Sequence, residues 1–138
     1  GACIECHTPE PEMVPGPTAI DFEKLFWGGR EFPAAALGLP VMPMGPFPEV
    51  IVSANLTSHM EFGLGDYTVE QIVRVLKEGV DKDDKGICPP MPSGVMAAFG
   101  GLTDDDALDI AHYIKSLPPV ANEVVGECEA PMGPPPGQ

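Results

Sequence analysis

The chain opens Cys3-Ile4-Glu5-Cys6-His7, two thiols with an imidazole directly behind the second. A Cys-x-x-Cys-His run serves as a redox dithiol, as half of a zinc site or as a covalent haem attachment site. Only the last needs the histidine beside the second cysteine. The thiols then bond to the porphyrin vinyl groups, and His7 coordinates the iron from one face. The opposite face is filled by a second ligand or left open, and the rest of the sequence decides which.

One small domain is expected from 138 residues. The 18 Pro and 16 Gly, together nearly a quarter of the chain, predict many turns and few long regular elements. A macrocycle in the core gives such a chain apolar surface it otherwise lacks. The formal charge of −14 argues against nucleic acid and anionic membrane, and favours partners with a basic docking patch. Acidity that only keeps the protein soluble is the plainer reading. No apolar run approaches the ~20 residues of a membrane span, and no leader segment is visible, as in a mature exported protein.

Residues 8–50 read as mostly irregular, with a short helical turn from Phe22 to Phe26 that Gly28-Gly29 ends. Residues 50–56, VIVSANL, read as a short extended piece. Two helices are clearer. In YTVEQIVRVLKEGVD, Thr68 and Gln71 have capping-box spacing, and Val69, Ile72, Val73 and Leu76 form one apolar stripe before Gly79 stops the helix. In LTDDDALDIAHYIKSLPP, Thr103 caps the start, and Asp104, Asp105 and Asp106 complement the helix dipole. Ala107, Ile110, Ile114 and Leu117 make the apolar face, and Pro118-Pro119 block continuation. The domain is expected over residues 1–125, with 126–138 a Pro/Gly-rich tail.

The loop between these helices carries the first candidate for the second ligand, Met91, between Pro90 and Pro92. A thioether is a soft, neutral donor for haem iron, and flanking prolines fix the backbone that aims it. Met96 in the same loop is the fallback, and Met42, Met44 and Met60 are weaker rivals. His59 reads as a solvent-facing loop residue and His112 as a helix-surface or packing residue rather than as ligands. Trp27, Phe26, Phe32, Tyr67 and Phe99 are candidates to pack a ring, and ordinary core explains each equally well. Asn55 is a turn residue, or one that ties down a loop or a propionate.

CIECHTP, FWGGREFP, SANLT, GLGDYTVEQIVRVLKEGVD, CPPMP and GGLTDDDALDIAHYIKSLPPV occur in the order of motifs in monohaem c-type cytochromes. Over residues 1–125 the chain resembles the class I-like members that serve as cytochrome subunits or domains of periplasmic dehydrogenases. The resemblance implies a mainly α, cytochrome c-like, loop-rich fold with few short helices around one covalent haem c. It implies Cys3 and Cys6 as attachment points, with His7 and Met91 as axial ligands. By analogy with similar cytochromes, Pro15 or Pro17 offers a backbone carbonyl to the free nitrogen of His7. Family members carry a helix before the haem motif. Here it is absent, which suggests a truncated sequence or another chain covering that face.

Covalent haem attachment of this kind takes place outside the cytoplasm, where disulfides persist. Cys88 and Cys128 are therefore expected to pair with each other rather than join Cys3 and Cys6 around zinc, whose structural sites use closely spaced pairs; two unpaired thiols are the plain alternative. A loop of that length stabilises by about 4 kcal/mol in the chain-entropy model. The expected function is one-electron transfer, not enzymatic catalysis, in the periplasm or extracellular space. The alternatives are a fixed haem subunit of a dehydrogenase complex or of a homo-assembly or filament, and, further off, an open-site haem enzyme or gas sensor.

Overall fold

The computed structural model describes residues 2–16, 19–125 and 128. Three helices, α1 (Ala2–His7), α2 (Val69–Glu78) and α3 (Asp104–Ser116), accompany two short strands, β1 (Glu31–Pro33) and β2 (Val50–Val52). Single 3-10 turns follow β1 at Ala34–Leu37 and precede α3 at Ala98–Gly101. Loops hold most of the described chain. Apart from Cys128, the proposed tail lies outside the described residues.

Local chemistry sets the bounds of α2 and α3. Thr68 Oγ1 accepts from Gln71 N at 3.1 Å, and Gln71 Oε1 accepts from Thr68 N at 2.9 Å, closing the capping box. Gly79, at φ 72°, ends α2 in the left-handed conformation, and its N–H bonds back to Arg74 O and Val75 O. Thr103 Oγ1 accepts from Asp106 N at 3.1 Å, and three aspartates occupy the first turn of α3.

These helices pack on each other through Ile72, Ala111 and Ile114, with Leu64, Tyr67, Val69, Val73 and Ile110 around them. Ala107 and Ala111 are both fully buried on α3, and Ala111 belongs to this cluster. Burying one isoleucine here is worth about 1.5–3 kcal/mol. Lys77 pairs with Asp104, joining the end of α2 to the start of α3.

Of the two strands, the sequence pointed to β2 but not to β1 or to their pairing. β1 and β2 pair antiparallel, with Phe32 opposite Ile51. The pairing continues irregularly beyond the sheet: Ser53 N donates to Arg30 O at 2.9 Å, Gly29 N to Ser53 O at 2.8 Å and Leu56 N to Phe26 O at 3.0 Å. The expected extended piece is therefore real, and its partner is 26–33. Residues 21–27 form successive turns rather than a helical turn, because Phe26 stands at φ 65° and cannot continue right-handed winding. "Mainly α" thus describes only the commoner of two sparse kinds of regular structure.

Candidate haem site

The Cys-x-x-Cys-His run is helix α1. Three residues apart on a helix, Cys3 and Cys6 share one face. Both carry free thiols, whereas Cys88 and Cys128 are bonded to each other. That disulfide removes the four-thiolate zinc alternative directly. Burial pushes both free thiols above the ordinary cysteine value, so they stand protonated at neutral pH.

His7 ends α1 and is buried. Its Nδ1 lies 2.8 Å from Ala54 O. A carbonyl only accepts, so Nδ1 carries the proton and the neutral ring keeps its lone pair at Nε2, free for a metal. Burial holds the imidazole below the usual histidine value, and the Ala54 hydrogen bond opposes it. The carbonyl partner differs from the expected Pro15 or Pro17. Pro17 lies outside the described residues, and the Nδ1 position is taken by Ala54.

Gly28 makes this partner reachable. It stands at φ +74°, and a Cβ there would lie 2.5 Å from the Ala54 carbonyl and from Asn55 N. Its own N–H donates to His7 O at 2.9 Å. The irregular ladder between 26–33 and 50–56 thus brings residue 54 to the end of α1. Thr8, fully buried, accepts from Phe26 N through Oγ1 at 3.1 Å. Arg30, 5% exposed, donates to Thr8 O, Ala19 O and Gly16 O and pairs with Glu10 at 3.5 Å. It fastens the loop after the Cys-x-x-Cys-His run to the strand region.

Asn55 proves to be a tie and not a plain turn residue. At 1% exposure it uses its whole hydrogen-bonding capacity. Nδ2 donates to Val120 O at 2.9 Å and Asn122 O at 3.0 Å, and Oδ1 accepts from Thr57 N and Thr57 Oγ1. Asn122 Nδ2 donates onward to Trp27 O at 2.8 Å. Sequence reasoning passed over Asn122 because nothing local distinguishes it.

Met91 is partly buried, in contrast to the other described methionines. Met13, Met42, Met44, Met60 and Met96 are 94%, 56%, 97%, 66% and 93% exposed. The Met91 loop docks on the end of α2, where Gly94 N donates to Leu76 O at 3.0 Å and Ile87 N to Gly79 O at 2.8 Å. Ser93 Oγ, two residues past Met91, is the one buried side-chain polar atom without a partner among the described residues. His59 Nδ1 accepts from Phe62 N at 3.1 Å and Glu61 N at 3.3 Å, and its ring stacks on Phe62. His112 is exposed on α3.

Of the candidate aromatics, Phe26 is buried and packs T-shaped with Tyr113, ring centroids 6.0 Å apart, and Tyr67 packs on the α2–α3 core. Trp27, Phe32 and Phe99 are half-buried. Among the described residues no helix is long and apolar enough to cross a membrane.

No family model matches the chain. It is 36% identical over 120 residues to the cytochrome c subunit of quinone alcohol dehydrogenase from Gluconobacter oxydans (strain 621H), covering 86% of this chain and 20% of that protein. It is 33% identical over 97 residues to the fructose dehydrogenase cytochrome subunit of Gluconobacter japonicus, covering 70% and 18% respectively. The gluconate 2-dehydrogenase cytochrome c subunit of Pantoea cypripedii is 27% identical over 123 residues, covering 88% and 22%. The chain spans about a fifth of the length of the curated relatives it matches. Over most of its length, the chain is homologous to one stretch of the cytochrome c subunits of these dehydrogenases.

Proposed function

We propose that this chain is a one-electron transfer domain that carries a single covalently attached haem c in a cytochrome c-like fold, with no substrate chemistry of its own. The observation that carries this reading is the state of α1. Two free thiols share a helix face, and the adjacent imidazole is buried, neutral and protonated at Nδ1, which leaves Nε2 for iron. In this reading Cys3 and Cys6 would hold the haem covalently, and His7 and Met91 would ligate its iron. The partial burial of Met91 supports it over Met96, and the unpartnered Ser93 hydroxyl suits a loop that meets a polar group of the cofactor.

The haem, when bound, supplies reversible one-electron exchange at its iron. The chain's part is to hold the cofactor's orientation in both oxidation states. His7 is fixed through both its ring and its backbone carbonyl. Met91 sits between two prolines on a loop fastened to α2. Such rigidity keeps reorganisation small. An exported location follows from the attachment chemistry and is consistent with the Cys88–Cys128 disulfide. The net charge of −14 suits redox partners with a basic docking patch. The relatives' names and the chain's one-fifth share of their length favour a second reading, in which this domain works as a fixed part of a dehydrogenase assembly.

Pyridine haemochrome analysis together with intact mass tests the proposal: one covalent haem per chain is expected, and bare polypeptide would overturn it. Size measurement in solution separates a freely diffusing carrier from an assembly subunit.

A further inference from the structure

Three backbone segments meet behind His7, and two asparagine side chains hold them together. The turn at 26–29 supplies Gly28 N to His7 O, and the segment at 53–57 supplies Ala54 O to His7 Nδ1. The third segment, 120–122, follows α3 and is tied to the first two through Asn55, Asn122 and the Thr57 hydroxyl.

The turn at 26–29 needs such a restraint. Phe26, Gly28 and Gly29 stand at φ 65°, 74° and 85°. For a bulky buried residue such as Phe26 this conformation persists only where its surroundings enforce it. Asn122 Nδ2 takes up the carbonyl of Trp27, within that turn. Asn55 is joined to Ala54 by the very peptide whose carbonyl faces the imidazole, and its saturated side chain leaves that peptide little freedom to rotate.

We propose that Asn122 and Asn55 are positioning residues for the haem-ligating histidine: they latch the segment after α3 onto the two segments that grip His7, and so set the strength of its Nδ1 hydrogen bond. This inference rests on the haem reading above. A strong bond at Nδ1 raises the basicity of the ligating nitrogen and favours ferric iron. A slack latch therefore raises the reduction potential, although the imidazole's own acceptor is the Ala54 carbonyl.

The test uses the haem-loaded protein and the variants Asn122→Asp and Asn122→Ala, with Thr68→Ala as a control of similar stability cost distant from the latch. The carboxylate keeps the shape of Asn122 but has no N–H for Trp27 O. Two readouts are taken at matched haem content: the reduction potential, and the solvent exchange rate of the His7 Nδ1 proton in the reduced state. Both Asn122 variants are expected to shift the potential upward. They should also exchange that proton about fivefold faster, the factor corresponding to ~1 kcal/mol of hydrogen-bond weakening. Thr68→Ala should do neither. Should the alanine variant not accumulate folded, Asn122→Asp and the milder Asn122→Ser are read in its place. Wild-type potential and exchange in haem-loaded Asn122 variants overturn the latch and leave the haem reading intact. A colourless wild-type protein overturns the haem reading itself, and the latch with it.

Discussion

Gly28 fixes the approach of Ala54 to His7, and Met91 is the proposed second ligand. At φ +74° and with no room for a Cβ, Gly28 cannot become alanine without pushing Ala54 away from His7. Gly28→Ala is expected to destabilise by about 2 kcal/mol or more. Gly101→Ala, where a Cβ meets nothing within 4 Å, should stay within about 0.5 kcal/mol of wild type. Urea unfolding curves of the two variants provide the comparison. For the ligand, Met91→Ala is expected to abolish the methionine–iron charge-transfer absorption of the oxidised protein and lower its potential. Met96→Ala, at a side chain 93% exposed, should change neither. Loss of that band in the Met96 variant alone would reverse the assignment. At this scale the Cys-x-x-Cys-His run was legible because its residues are contiguous. The acceptor for His7 was not: Ala54 lies 47 positions away, has no distinctive side chain, and is brought in by a glycine whose close approach only the folded backbone reveals.

Among the elements, α2 and α3 were readable nearly to the residue because their signals are local: a capping box, a left-handed glycine and a Thr-Asp start. Thr68→Ala should accordingly cost about 1 kcal/mol, and Ile72→Ala about 2–5 kcal/mol, in equilibrium unfolding. β1 escaped notice because three residues ending in proline carry no periodic signal, and its existence depends on β2 across the chain. The contact between α2 and α3 has a pH signature. Lys77 beside Asp104 holds that carboxyl below the usual aspartate range. A carboxylate with a depressed value in the folded state stabilises fully above its unfolded value, and that contribution fades as acid brings the pH down through the folded one. An NMR titration should therefore find Asp104 titrating at lower pH in wild type than in Lys77→Gln. The same midpoint in both proteins would show that the pair is not formed in solution.

For the whole molecule, composition announced a small, acidic, loop-rich chain, and the sequence order of motifs announced its kin. What it did not reveal is how the segments around the site are fastened, because Arg30, Asn55 and Asn122 act over long separations through backbone carbonyls that any residue supplies. The Cys88–Cys128 bridge, expected from compartment, joins parts of the chain 40 positions apart. Replacing both cysteines by serine should lower stability by up to about 4 kcal/mol in the chain-entropy limit. Differential scanning calorimetry of that double variant against wild type measures the loss. The most direct test of the whole account is a haem count on material produced with a haem-attachment pathway, by pyridine haemochrome and denatured intact mass. The account predicts one haem per polypeptide that survives denaturation and disappears in Cys3→Ala/Cys6→Ala; a colourless chain with the mass of its amino acids alone would contradict it.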